Sequence, residues 1–307
     1  MTEWGSARDR SPNGSGEQSG AANSAFTAGE STSLHERKMR IRKEGVEIRT
    51  LDAWQQHAPP AAKRHWKRDR SALCMAGAWL AEAPPVAVRE LLASHGDIGP
   101  LRYDDLVAEP ECKIKFDRYG GPRQADIAFV ANDHRGAVAV TVEGKADEPF
   151  DSYVGDVLAN AVDRALDAPS NGVRRVEMLA ASLLPTRAAG SEPRKLPPLR
   201  QVRYQLITAV AGTLAYARDA GANRAVLVVE EFVTRATKDH LHARNQRDLE
   251  RFIARLTSGR YSVLPPGRLI GPIRVPGAPL FPSPPALYLG KVTYNIRQGR
   301  GPGAGSS

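Results

Sequence analysis

The 307-residue chain holds only two cysteines, Cys74 and Cys112. That is too little sulfur for a disulfide framework or a thiolate metal cluster, and it suits a reducing, cytoplasmic setting. Long apolar runs are also missing. The longest stretches, such as Ala137 to Val142 and Ala225 to Val229, fall far short of the roughly 20 residues that span a bilayer, so no membrane partner is expected. The N-terminus lacks a basic start followed by an apolar run, which excludes a secretory signal. There is no Gly-x-Ser-x-Gly elbow, no zinc-finger or helix-turn-helix signature and no internal repeat. His240 and His242 are two apart, so on a helix they diverge and cannot chelate one ion.

What is present is ordinary globular composition, with 41% hydrophobic and 25% charged residues, enough to form a core. The length suits one large α/β domain with appendages. Lys and Arg number 43 against 34 acids, a formal charge of +9. Such a balance favours a polyanionic partner through phosphate neutralisation and counterion release.

Residues 1–33 are rich in Gly, Ser, Asn, Ala and Thr; they bury too little surface to offset chain entropy and read as a disordered arm. Residues 299–307 read as a second disordered tail. Residues 34–100 are expected to be a helical segment packed on a core at 101–298, with helices at Ser71 to Glu82 and Val86 to about His95 separated by Pro84 and Pro85. Strand-like runs follow at Glu111 to Arg118, Gln124 to Ala131 and Gly136 to Gly144. Helical periods then cover Tyr153 to Asp167, Val173 to Leu184 and about Arg200 to Ala220, where Gly221 ends the helix. Arg224 to Phe232 reads as a strand buried on both faces, and Asp239 to Leu256 returns to helix.

Between the second and third strands, a turn centred between His134 and Arg135 puts Asp126 opposite Glu143. Cross-strand partners have Cβ atoms roughly 4.5 to 5.5 Å apart, and Lys145 shares the face of Glu143 because side chains alternate. Ile127, Phe129, Val138, Val140 and Val142 form the opposite, apolar face. The charged side is otherwise Ala128, Val130, Ala137, Ala139 and Thr141, so the hairpin is expected to be covered on both sides with its charges gathered at one end. Two carboxylates so placed repel each other unless a cation neutralises them. Mg²⁺ suits carboxylate oxygens and keeps several waters, one of which can be the nucleophile while the lysine orients it.

Asp126 followed by Glu143-Gly144-Lys145 in a hairpin, then helix and strand, resembles the PD-(D/E)XK nuclease superfamily over roughly residues 70–232. Val142-Glu143-Gly144-Lys145, Asp147-Glu148-Pro149-Phe150 and Arg203-Tyr204-Gln205-Leu206 look like an uncharacterised bacterial nuclease-like group within it. The resemblance implies an α/β, restriction-endonuclease-like fold with a mixed β-sheet core flanked by helices. It also implies hydrolysis of phosphodiester bonds in nucleic acid, DNA foremost, with Mg²⁺ or Mn²⁺ held by Asp126 and Glu143, and Lys145 beside the attacking water. Gln205 is the candidate for the polar residue on a later helix, and Glu82 for an acid on the first. The chain departs from the pattern before Asp126, where Ala125 stands in place of proline. Double-strand cutting would suit a homodimer.

Lys63, Arg64, Lys67, Arg68 and Arg70 flank His65 and Trp66, a cluster able to hold phosphates while a ring stacks on a base; the alternative is a solvated run with Trp66 against the core. Arg203 is a further candidate phosphate contact. Arg244, Arg247, Arg251 and Arg255 lie along one helix face, which reads as solvated, and Glu230 and Glu231 read as solvated strand-end acids. The rival function is a catalytically inactive nuclease-like module that binds nucleic acid or a protein partner; a third reading is a metal-independent structural protein.

Overall fold

The three central strand signals become the middle of an eight-stranded mixed sheet. The computed structural model describes residues 39–61, 65–186 and 196–297; the expected arm at 1–33 and tail at 299–307 lie outside the described residues. In chain order the elements are β1 (Arg40–Lys43), β2 (Val46–Glu47), α1 (Leu51–His57), α2 (Ser71–Ala81), α3 (Val86–Ala93), β3 (Val107–Ile114), β4 (Arg123–Asp133) and β5 (Gly136–Lys145). They continue with α4 (Val154–Asp167), α5 (Gly172–Leu183), α6 (Tyr204–Asp219), β6 (Arg224–Val233), α7 (Asp239–Leu256), β7 (Ile270–Ile273) and β8 (Ala286–Asn295). The sheet order is β2-β1-β3-β4-β5-β6-β8-β7. Strand β3 runs antiparallel to β4, and β4 to β5, whereas β6 lies parallel to β5 and to β8.

Two of the sequence expectations move. Residues 34–100 are not all helical: β1 and β2 extend the sheet beyond β3. The first meander strand, expected from Glu111 to Arg118, runs from Val107 to Ile114 and passes through Pro110. Proline is tolerated there because β1 pairs only with Val107 and Ala108, leaving no ladder on that edge for the missing N–H to break.

Strand alternation sends side chains to two cores, one on each face. Val138, Val140 and Val142 join α2 and α3, while Ala139 joins α5, α6 and α7. Both faces of the hairpin are therefore covered, as its sequence implies. Every residue of β6 is buried, which follows from its place between β5 and β8 with helices on both sides. Helix α6 is buried from Leu206 to Ala215, and it stops where Gly221 takes a φ of 65°, a left-handed turn that glycine adopts without steric cost. At the closed end of the hairpin Arg224 forks onto Asp133, Nη1 to Oδ2 at 2.5 Å and Nη2 to Oδ1 at 2.6 Å. That guanidinium holds the Asp133 carboxyl well below the usual range. Among the described residues no single helix is long and apolar enough to cross a membrane.

A candidate carboxylate and lysine site where the hairpin opens

Strands β4 and β5 pair from Asp133 with Gly136 up to Ile127 with Val142, the register that the turn implies. Beyond Val142 the ladder stops, yet β5 keeps its parallel partner β6 through Glu143, Gly144 and Lys145. The edge that faced β4 then needs a new acceptor, because a buried amide without one costs about 1–3 kcal/mol. Asp126 supplies it: Gly144 N–H donates to Asp126 Oδ2 at 2.7 Å. A Cβ on residue 144 would lie 2.6 Å from Met75 Cε, so a larger residue here would push the end of the methionine aside.

The face alternation of β4 also breaks here. Ala125 packs with the α6 side and Ile127, two residues on, with the α2 side. On β3, Glu111 lies between the residues that pair with Ala125 and Ile127, and its φ of 49° puts it in the left-handed region. Strain of that kind persists only where the surroundings impose it, and it collects at functional sites.

Glu143 is 2% exposed and is gripped by three donors: Arg123 Nη2 at 2.5 Å on Oε2, with Lys145 Nζ at 2.5 Å and Gln205 Nε2 at 2.6 Å on Oε1. Burial pushes its carboxyl upward, but Lys145 and Arg123 outweigh that and hold it below its ordinary range. The Lys145 ammonium is opposed by burial and raised in net by Glu143 and Asp126. Asp126 fares differently, because burial and the neighbouring Glu143 charge push it up to about 6. Glu111, desolvated and facing Asp126, is pushed up to about 9 although Gln124 Nε2 donates to it at 2.6 Å.

These groups share one cavity of about 530 Å³, with Glu111, Gln124, Asp126, Glu143, Lys145 and Gln205 among its lining. All four expected catalytic residues are thus together. Among the described residues no group of three His, Cys, Asp or Glu side chains is placed to hold a metal ion. Mg²⁺ needs less than that: one or two carboxylates, with water and substrate completing the shell. Asp126 Oδ1 accepts no hydrogen bond among the described residues, and Glu143 uses three of the about four lone-pair sites of a carboxylate. The pair therefore fits a hard divalent cation.

The expected nucleic-acid contacts divide. Lys63 and Arg64 lie outside the described residues. Lys67 and Arg68 are exposed beside His65, which lines the cavity, and Trp66 rests against the α2-side core. Arg203 is placed otherwise than expected. It is 7% exposed, and it donates to Asp248 Oδ2 at 2.6 Å, to the Asp151 carbonyl at 2.5 Å and to the Tyr153 hydroxyl at 3.1 Å. It is a bracket between α6, α7 and the loop before α4, with each of its three side-chain nitrogens already donating one hydrogen bond.

Glu82 pairs with Arg89 and is not among the cavity residues. Glu230 and Glu231 are buried, at 0% and 4% exposure, not solvated, because β8 continues the sheet past β6. Trp79 Nε1 and the Tyr294 hydroxyl donate to Glu230, which burial pushes up to about 8. Glu231 is held by Lys291 and Thr293. Sequence reasoning missed Glu111, Arg123 and Gln124. The alternation of charge with small residues along β4 carried a faint signal for Arg123 and Gln124; nothing local marks Glu111.

The fold and site define an α/β protein with a buried carboxylate and lysine centre. Residues 47–293 match the family described as Domain of unknown function (DUF6946), and the chain belongs to that family. Neither the curated proteins nor the solved structures give a match.

Proposed function

We propose that this chain is a Mg²⁺- or Mn²⁺-dependent nuclease of the PD-(D/E)XK type that hydrolyses phosphodiester bonds in nucleic acid, DNA foremost, in the cytoplasm. The observation that carries the reading is the meeting of Asp126, Glu143, Lys145 and Gln205 in one cavity, with Lys145 and Gln205 both bonded to the same Glu143 oxygen. The run of α3, β3, β4, β5, helices and β6, paired antiparallel, antiparallel and parallel, supports the restriction-endonuclease-like core that the resemblance implies.

Held by Asp126 and Glu143, the divalent ion would polarise a phosphoryl oxygen and lower the pKa of a bound water. In the hydrolysis a water oxygen forms a bond to phosphorus while the bond from phosphorus to the leaving sugar oxygen breaks; one water proton is released and the leaving oxygen takes up a proton. Lys145 supplies a fixed positive charge beside the phosphate as negative charge grows there. Gln205 and Arg123 fix the orientation of Glu143.

The second reading, an inactive module that binds nucleic acid or a protein partner, draws on the engagement of Glu143 by three protein donors and on the exposed Lys67 and Arg68. Isothermal titration with Mn²⁺ and plasmid nicking in Mg²⁺ separate the two. Metal binding with nicking that vanishes in Lys145→Ala supports the enzyme. A parent that binds DNA with a steep salt dependence and never cuts supports the module.

A further inference from the structure

A second cavity, of about 220 Å³, adjoins the first, and the chemistry proposed above leaves it unused. Gln124, Asp151 and Gln205 line both spaces. Arg123, Arg175 and Tyr204 line the second and not the first.

These three side chains carry donors for which the fold supplies no acceptor. Arg123, with its side chain 7% exposed, commits Nη2 to Glu143, while its Nε and Nη1 donate to nothing among the described residues. Arg175 is fixed by three contacts: Nε donates to Asp117 Oδ2 at 2.8 Å, Nη2 donates to the Gly121 carbonyl at 3.0 Å, and the guanidinium lies over the Phe116 ring, 4.8 Å from its centroid. Its Nη1 has no acceptor among the described residues. The Tyr204 hydroxyl has no hydrogen-bond partner among them either. Burial raises that hydroxyl above its ordinary range against the pull of the Arg175 charge, so at neutral pH it keeps its proton and can donate.

A guanidinium held this way has already lost the freedom that binding would otherwise take from it. Arginine offers donors and no acceptor, so the ligand that satisfies two of them needs several acceptor oxygens and negative charge. A phosphate group has both, and guanidinium groups bind it through charge-assisted hydrogen bonds. Asp151 is the one acid on the lining, and it is exposed, so water screens its charge. The first turn of α6, which supplies Tyr204 and Gln205, carries no acidic residue, and its dipole adds to the field of the two arginines.

We infer that the second cavity is a phosphate subsite and, resting on the nuclease reading above, that it takes the phosphate of the substrate strand next to the one being cut. The residues shared by the two cavities place the subsite beside the reacting centre, and Arg175 and Tyr204 are its principal donors.

The test uses the full chain without divalent metal and titrates inorganic phosphate at constant ionic strength, read by phosphorus NMR. The parent should bind phosphate saturably. Arg175→Gln should weaken binding about tenfold or more and Tyr204→Phe about threefold, whereas Lys145→Met, which alters the first cavity, should leave it unchanged. No saturable binding, or a loss confined to Lys145→Met, overturns the inference. Should Arg175→Gln strand Asp117 and unfold the chain, Tyr204→Phe removes a hydroxyl that the fold does not use and decides the matter alone. The source of the phosphate is read with a labelled DNA strand in Mg²⁺, where both changes should raise KM by similar factors and alter kcat less. An unchanged KM beside a weakened phosphate affinity overturns the assignment to the strand. If the parent cuts nothing, the nuclease reading fails separately; the phosphate titration still decides the subsite, and strand affinity by fluorescence anisotropy in Ca²⁺ takes the place of KM.

Discussion

Asp126→Asn should make the protein more stable where it makes it inactive. In the native chain Asp126 is pushed up to about 6 by burial and by Glu143, against about 3.9 for an unfolded aspartate. Between those pH values the native state binds more protons than the unfolded chain, so stability falls as pH rises and the loss is complete above about pH 7. A displacement of about two units corresponds to about 3 kcal/mol, at 1.36 kcal/mol per unit. Asparagine keeps an oxygen for Gly144 N–H but has no charge to desolvate, so the variant lacks this slope. Its Tm advantage over the parent should grow by about 6–12 °C between pH 4 and pH 7, taking about 2–4 °C per kcal/mol for a domain of this order of size.

Glu230 and Glu111, pushed up to about 8 and about 9, stay protonated in the native parent across that window. Divalent metal should close most of that gap. At a hundred times its Kd it adds about 2.7 kcal/mol to the parent and little to the variant. Thermal unfolding by circular dichroism at several pH values, with and without Mg²⁺, reads all of this. A Tm difference that does not change with pH, or a variant that Mg²⁺ stabilises as much as the parent, refutes the reasoning.

Glu143→Gln leaves Arg123 and Lys145 buried without their anion and should cost about 3–5 kcal/mol, seen as a lower denaturant midpoint at unchanged m-value; an unaltered midpoint contradicts the grip drawn around Glu143. Lys145→Met keeps the Glu143 to Arg123 pair, so it should hold Mn²⁺ while single-turnover cleavage falls by a factor of about 100 or more; retained cleavage removes Lys145 from the chemistry. Arg203→Ala should cost at most about 3 kcal/mol, because Asp248 keeps the Tyr153 hydroxyl and Arg251, without changing the salt dependence of nucleic-acid binding. The double change Lys67→Ala with Arg68→Ala should do the reverse, lowering the salt slope by roughly one to two at constant stability.

What the sequence made legible and what it hid divide by the distance over which each contact is decided. The hairpin could be read because its turn at His134 and Arg135 fixes the register by itself, and each later pair follows from strand geometry. That was enough to bring Asp126 toward Glu143. It could not tell that the ladder would stop at Val142, and the stopping point is what frees the Gly144 amide for Asp126. Arg203 has the same local signature as Lys67 and Arg68, a cation beside an aromatic, yet it is consumed by Asp248, 45 residues later, whereas Lys67 and Arg68 stay exposed. Glu230 looked like a solvated strand end because β8, which buries it, is supplied 60 residues downstream. Glu111 reaches the cavity only through a left-handed residue in the middle of a strand, a conformation that no local preference selects for glutamate. The site therefore rests on a local pairing that the sequence specifies, joined to charges whose roles are set by neighbours across the sheet. Of the two acids, Asp126 is the one left short of donors among the described residues: Glu143 holds Arg123, Lys145 and Gln205, while Asp126 has the Gly144 amide alone. A cation entering the cavity gains most at Asp126, and for that reason the metal dependence of stability, more than any alignment of motifs, separates a working centre from a buried ion cluster.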